Sequence, residues 1–445
     1  MIEAEKEAET ARLLARVGRA GALDLEAAEF YVRSAVLAFG ATIVQRLLAD
    51  VGVGRQDAPR LCTRHYPACP MNSLGVREKT LQTILGPVRF GRSRYVCPQC
   101  GAVEYPGDEQ LGVAGTGFSP GLRRLMTRAG ARESFAEAAE DLRVYGGLDV
   151  DAKAVERVAE DMGRLIDDWM KTEASAALLG LRRPGEIHDP IPIFYVALDG
   201  TGAPMRPSEL KGVRGKAENG KAKTREVKLG CVFTQTALDK EGNPQRDSNS
   251  TSYVGAIESS SDFGHRLYQE AVRRGLKRAG KTVVLSDGAE YNGAIAQEHF
   301  PGATHILDIY HSSERLSDFV KDSTAHPGQG AFHQECYALL DQGRIEELIE
   351  RMRQAAPRRG PRRQTALKRI AYFNERKEQM RYAQFRAQGF FVGSGVIEAG
   401  CKTLIGQRLK RSGMFWSVPG ANAIIAARCC LASGRFEQFF EDTAS

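Results

Sequence analysis

The sequence predicts a multidomain α/β protein, and three observations carry that expectation. The runs Ile191–Asp199 (IPIFYVALD), Lys281–Asp287 (KTVVLSD) and Thr304–Asp308 (THILD) read as buried strands that each stop at a carboxylate. Four cysteines, Cys62, Cys69, Cys97 and Cys100, crowd into a Gly- and Pro-rich stretch of short β-like runs. Long segments of helical periodicity flank both. At 445 residues the chain has room for roughly three domains of about 150 residues.

Residues 1–55 form a helical preface, rich in Ala and Leu, with apolar positions at Leu13, Leu14 and Val17 and again at Ala35, Val36 and Phe39. Residues 56–112 change texture. TLQTILGPVRFGRSRYVCPQCG reads as two short strands about Leu85-Gly86-Pro87, ending in a C-x-x-C knuckle. Cys62 and His65 are two residues apart, as are Cys97 and Cys100, and 31 residues separate the pairs. Tetrahedral zinc needs four converging N or S donors, and a short turn can supply two of them. Cys62, His65, Cys97 and Cys100 are therefore the expected structural Zn²⁺ ligands, with Cys69 as an alternative to His65. Cys231, Cys336, Cys401, Cys429 and Cys430 are scattered among apolar neighbours and read as reduced core thiols.

Residues 113–185 look all-helical. FSPGLRRLMTRAG opens with a Ser-Pro helix entry, and RESFAEAAEDLRVYGGLDVDAKAVERVAEDMG reads as helix, Gly-Gly turn and second helix. This is a helix-turn-helix candidate for DNA in which Lys153 and Arg157 face outward; two helices of an ordinary bundle would read the same way. Residues 190–315 carry the aspartate-ended strands, together with VKLGCVFTQTAL and STSYVGAIES. Residues 316–390 are helical and strongly charged, with QECYALLDQGRIEELIERMR as one helix. Residues 391–445 open at GSGVIEAGCK with a helix starting near Ser394.

Net charge is +7, unevenly spread: Arg351–Arg369 holds eight basic residues and no acid, and Lys211–Lys228 holds seven against two. With Arg408, Lys410 and Arg411 these segments suit a phosphate backbone, although solvated helix faces are the bland alternative. No uninterrupted apolar run approaches the roughly 20 residues of a membrane span, and the first residues lack a secretory h-region. The expectation is a cytoplasmic protein with no membrane partner.

Asp199, Asp287 and Glu398 are the acids that a metal site would use, since Mg²⁺ prefers carboxylate oxygens and ligands bind beyond strand carboxyl ends in such sheets. Each has a plainer reading. Asp199 and Asp287 both precede glycine, a turn signal; Glu398 could pair with Lys402 at i, i+4. Asp308 and His311 could form a local hydrogen-bonded pair. Gly400 and Gly406 within one helix ask for a close-approach reason.

The stretches ALDGTGAPM, TREVKLGCVFTQT, STSYVGAIE, VVLSDGAEYN, FPGATHILDIYH and GSGVIEAGCKTLIGQRLKRSGMFW, in that order, resemble the ISKra-type insertion-sequence transposases of bacteria and, more distantly, Mutator-like transposases. LGPVRFGRSRYVCPQCG and RESFAEAAEDL extend the likeness, which covers about Cys62 to Cys430. It implies an RNase H-like DDE core interrupted by a helical insertion and preceded by a zinc-ribbon-like module and a helical DNA-binding region. It also implies that Asp199, Asp287 and Glu398 hold two Mg²⁺ (or Mn²⁺), that Asp308 and His311 are the supporting D-x-x-H element, and that the chain acts on double-stranded DNA as at least a dimer. Lys402 becomes a phosphate contact. Tyr291 stands where relatives commonly have tryptophan. An inactive DNA-binding repressor and an RNase H-like nuclease of other substrate are the alternatives, separated by metal-dependent cleavage and by strand transfer.

Overall fold

A computed structural model describes residues 25–50, 53–55, 59–64, 67–181, 190–213, 222–323 and 329–443. Contacts divide the chain into two units, Met1–Ala159 and Glu160–Ser445.

In the first unit β1 (Leu61–Cys62) and β2 (Cys69–Pro70) form a small antiparallel ribbon. The long hairpin β3 (Asn72–Thr83) and β4 (Gly86–Val96) carries β5 (Val103–Glu104) on its far edge. The hairpin turns at Gly86, whose φ of +111° only glycine adopts without strain. The helix Leu25–Asp50 lies on β4, with Gln45 accepting from the Arg89 amide at 3.0 Å. By length and composition this helix is apolar enough to cross a membrane. That differs from the sequence expectation because Arg33 and Arg46 break any uninterrupted run while leaving the average apolar.

The helix entry at Ser119-Pro120 holds: Ser119 caps Pro120–Arg132 by accepting from the Leu122 amide. Phe135–Gly146 ends at Gly147 in the left-handed conformation, φ 68°, and Ala152 begins the next helix. Val155, Val158 and Ala159 are buried on that helix and Lys153 and Arg157 are exposed.

The second unit is built on a five-stranded mixed sheet in the order β10-β7-β6-β11-β12. Its strands are β6 (Ile191–Pro204), β7 (Thr224–Gln235), β10 (Ser252–Ala256), β11 (Ala279–Ser286) and β12 (Thr304–Leu307); β8 (Ala237–Leu238) and β9 (Pro244–Gln245) form a separate hairpin. β7 is antiparallel to both its neighbours, whereas β11 and β12 run parallel to β6. Phe194 to Leu198 are fully buried, as befits a central strand covered on both faces. Helix Ser260–Arg273 covers one face near Gly230, where a Cβ would lie 2.7 Å from Leu267. Helix Val418–Ala432 packs on the edge strand β10, and Asn422 binds both backbone groups of Ile257 just beyond it, at 2.8 and 3.3 Å.

Between β12 and Gly395 the described residues are mostly helical, but the run QECYALLDQGRIEELIERMR is two helices, Gln329–Asp341 and Ile345–Ala355. Gly343 breaks it at φ +68°, with the Arg381–Tyr382 backbone 3.2 Å from where a Cβ would stand. Pro361–Glu375 and the short Tyr382–Ala387 complete the segment.

Candidate functional site

Among the described residues two groups of ligating side chains form, one in each unit. In the first, antiparallel pairing sets Cys62 opposite Cys69, and the knuckle after β4 supplies Cys97 and Cys100. The knuckle closes through Cys97 N to Ala102 O at 2.9 Å and Gly101 N to Cys97 O at 3.0 Å, with the Cys100 amide 3.5 Å from Cys97 Sγ. Sγ of Cys62 and Cys100 are 3.7 Å apart, and those of Cys69 and Cys97 are 3.3 Å apart. Burial first, then the adjacent Cys97 thiol, pushes Cys69 up to about 11. The group could hold a metal ion. Its members that converge are Cys62, Cys97 and Cys100, with Cys69 beside Cys97; His65, the first sequence choice, lies outside the described residues.

The second group sits where the parallel strands end. Register pairs Leu198 with Ser286 and Ser286 with Leu307. The next residues are Asp199, Asp287 and Asp308, so three carboxylates stand at one level on adjacent strands about 4.8 Å apart. Asp287 and Asp308 follow their strands, as expected. Asp199 does not end its strand: β6 continues to Pro204 because its antiparallel partner β7 accompanies it there, Asp199 facing Leu229. Asp199 therefore sits within a rigid element, not at a turn.

Local amides fix each acid. Asp199 Oδ1 accepts from Gly200 N at 2.6 Å, and Asp287 Oδ1 accepts from Ala289 N at 3.0 Å and Asn292 Nδ2 at 2.7 Å. The fully buried Asp308 accepts through Oδ1 from the His311 amide at 2.8 Å and lies 3.2 Å from His311 Nδ1. Its Oδ2 accepts from the Ser394 amide. Ser394 Oγ in turn donates to Glu398 Oε1 at 3.2 Å. Asp308 is thus a bracket: it ties the start of the Glu398 helix to the end of β12, assisted by Ile309 N to Val392 O at 3.1 Å.

Glu398 rides on the helix Gly395–Gly400, which continues as a π turn over Cys401–Gly406. Gly400 lets that helix approach the sheet, since a Cβ there would lie 2.9 Å from the Tyr253 ring and 3.2 Å from Leu229. Gly406 has no such neighbour; its nearest is Cys401 O at 3.5 Å. The two glycines bracket the π turn, a feature often found at functional sites and the one sequence signal that marks it here. Glu398 makes no ion pair with Lys402 among the described residues.

Asp308, His311 and Glu398 place ligating atoms within 4.8 Å of one another. Asp199, Asp287 and Glu398 do not close to that distance as a set, because the Ser394 hydroxyl holds Glu398 on the Asp308 side. Asp199, Tyr310, His311, Glu398, Lys402 and Lys410 line one open cleft of about 580 Å³. Burial above all, with Asp287 adding, pushes the Asp199 carboxyl up, against the Gly200 amide and the Cys401 thiol that donate to it. For Asp308, burial pushes up, and the bonds from His311 and Ser394 outweigh it, so its carboxyl titrates below the ordinary range. The Asp308 bond raises His311 to about 9, burial opposing and Asp287 and Asp199 assisting.

Of the predicted phosphate contacts, Lys402 and Lys410 are exposed at the cleft, and Lys410 donates to Thr201 Oγ1. Arg408 is a correction. It is fully buried, its guanidinium 5.0 Å over the Trp416 ring and Nη1 3.4 Å from Met414 Sδ. The chain folds back after Leu409, whose carbonyl accepts from Trp416 Nε1 at 3.0 Å, and this encloses Arg408. Arg411 is half-buried. Two residues near Asp199 have roles beyond the sequence reading. Cys401, read as a core thiol, is buried but donates to Asp199, and Tyr291 comes so close that a Cβ on Gly200 would lie 2.5 Å from its hydroxyl. No protein-family model matches this chain, and neither does any curated protein.

Proposed function

We propose that the chain is a DDE transposase of an insertion sequence, with an RNase H-like catalytic core, binding the element's terminal repeats and cutting and rejoining DNA. The observation that carries the reading is the placement of Asp199 and Asp287 at one level of adjacent parallel strands, with Glu398, 111 residues beyond Asp287, brought by its helix to the cleft that Asp199 lines. A five-stranded sheet in the order 3-2-1-4-5, with strand 2 alone reversed, supports the RNase H-like part. The helical segment from Ile309 to Ala387 supports the insertion, and the helices Phe135–Gly146 and Ala152–Leu178, with Lys153 and Arg157 exposed, support a DNA-binding region.

The acids fit divalent magnesium or manganese by donor type: oxygen ligands, with Asp199 held above its ordinary range by burial first and by Asp287 as well, and His311 a cation on the same cleft. Two such ions would polarise the phosphate and make a bound water acidic enough to attack phosphorus. Asp199, Asp287 and Glu398 would hold them. Asp308 keeps the Glu398 helix seated, and its bond keeps His311 protonated at neutral pH, where the imidazolium offsets carboxylate charge. Lys402 and Lys410 draw the DNA phosphates to the cleft. The thiols fit structural zinc: a Zn–S bond of about 2.3 Å in a tetrahedron puts sulfurs about 3.8 Å apart, close to the 3.7 and 3.3 Å found.

The test is a duplex carrying the DNA that flanks the gene, incubated with the protein and Mg²⁺. Cleavage at the element end and joining of the freed 3′ end to target DNA are expected. Asp199→Ala that still cleaves and joins at the normal rate would remove the proposal.

A further inference from the structure

The helical segment between β12 and Glu398 neutralises most of its arginines with care. Arg351 binds Glu335 at 2.7 Å, Arg369 binds Asp318 at 3.2 Å and also Asp322, Arg381 binds Glu346 and Glu378, and Arg386 binds Asp341 at 2.6 Å. One cluster is left out. Arg358, Arg359, Arg362 and Arg363 are exposed and make no ion pair among the described residues. They surround the start of the helix Pro361–Glu375, whose first turn carries no acid. Four positive charges at the positive end of a helix dipole oppose its stability, so the arrangement suits an anion brought from outside.

The same helix leads from that cluster to the acids. Lys368, Tyr372 and Arg376 follow at i, i+4 and i+8, one stripe of its surface. Lys368 is exposed and makes no ion pair among the described residues. The Arg376 guanidinium lies 4.4 Å from the Tyr372 ring centre and that of Arg315 lies 5.7 Å from it, so two cations flank one ring. Among the described residues Arg315 makes no ion pair, and Arg376 pairs only with the neighbouring, exposed Glu375. The Tyr372 hydroxyl is shielded beside the Arg315 guanidinium. It stands 2.4 Å from where a Cβ on Gly288 would be, immediately after Asp287.

We propose that this stripe, from the four arginines of Arg358–Arg363 through Lys368 to Arg315 and Arg376, is a track for the phosphate backbone of duplex DNA leading to Asp287. Asp287 does not line the cleft with Lys402 and Lys410, so the track reaches an acid that this cleft does not. Fifteen helical residues span about 22 Å, or about six base-pair steps. The location beside an active centre rests on the proposed catalytic reading; the binding itself does not.

The test is equilibrium binding of the full chain to a fluorescent duplex of about 30 base pairs, in EDTA, over about 50 to 300 mM salt. Each neutralised phosphate adds about 0.9 to the slope of log affinity against log salt. Replacing Arg358, Arg359, Arg362 and Arg363 with alanine should flatten the slope by about 3 to 4, and Arg315→Ala with Arg376→Ala by about 2. The corresponding lysine replacements should keep the slope, which separates lost charge from lost fold. Alanine variants with the parent slope and affinity overturn the proposal. So do lysine variants as defective as the alanine ones while circular dichroism shows both folded. Because no cleavage occurs in EDTA, an Asp199→Ala protein that still cuts DNA would end the catalytic reading and leave this result standing.

Discussion

The two ligand groups are built on opposite principles. The thiols come from 39 consecutive positions, close on one another through a ribbon pair and a knuckle, and three of the four are buried. The carboxylates come from Asp199, Asp287, Asp308 and Glu398, spread over 200 positions, and gather at one sheet end, Asp199 and Glu398 lining an open cleft, only because a sheet and its covering helix bring them together. A closed set of soft donors stabilises a fold; an open set of hard donors leaves room for a substrate. Loss of a ligand should therefore cost stability at the first group and activity at the second.

The largest effect is expected at the acids. Asp199→Ala and Asp287→Asn should lower metal-dependent strand cleavage by about 10²- to 10³-fold or more, the scale on which one preorganised charge acts in a transition state. The melting temperature of Asp199→Ala should scarcely move, since relieving a carboxylate that burial already disfavours costs the fold little. A large loss of stability with the activity loss would break the contrast.

Cys97→Ser should do the reverse. Metal-binding free energy of about 10 kcal/mol or more is folding free energy for such a site. Bound zinc, measured on the purified protein, should fall from about one per chain toward none, and an early unfolding step should appear in calorimetry. Asp199→Ala should show neither. Retention of zinc by Cys69→Ser, with its loss in a His65→Ala variant, would return His65 to the ligand set in place of Cys69.

The same contrast explains what could be read from the chain alone. Short-range features were legible: the C-x-x-C knuckle, the Ser119-Pro120 entry, the Gly146-Gly147 turn, and the strands that run into Asp287 and Asp308. Features decided by a distant partner were not. Asp199 lies inside β6 because β7 continues beside it, and nothing within IPIFYVALDG says so. Arg408 reads as one more surface charge in RLKR until Trp416, eight residues on, folds over it. The π turn is an outcome of seating Glu398 against the sheet, and only Gly400 and Gly406 hinted at it. Asp308 was visible as half of a local pair with His311, but its hold on Ser394 spans 86 residues.

A subtler effect should separate those two glycines. Gly400→Ala puts a Cβ 2.9 Å from the Tyr253 ring and 3.2 Å from Leu229, so the helix must shift, at a cost of about 1–3 kcal/mol and a displaced Glu398. Cleavage should fall along with stability. Gly406→Ala meets only ordinary contact at 3.5 Å and should be neutral or stabilising by up to about 1 kcal/mol. Equal effects of the two changes, in chemical denaturation and in cleavage, would mean that close approach at Gly400 does not position the glutamate.

The smallest effect lies beneath the acids, on β12. His305 Nε2 is 2.8 Å from Ser286 Oγ, and burial, with Arg376 adding, pushes its pKa down to about 4. In the unfolded chain it should titrate near 6.5. Between those values the unfolded state binds the proton and the native state does not, so stability is full above about 6.5 and declines as pH falls toward 4. His305 is half-buried, and solvent screening reduces the effect to about 1–2 kcal/mol. Urea unfolding at a series of pH values in EDTA should show this decline in the parent and a shallower one in His305→Gln, which keeps a polar partner for Ser286 without the titration. Identical slopes would mean that the sheet end beneath the acids is wetter than its packing implies. The carboxylate group would then be open from below as well as from the cleft, a stronger contrast with the thiols than the one drawn here.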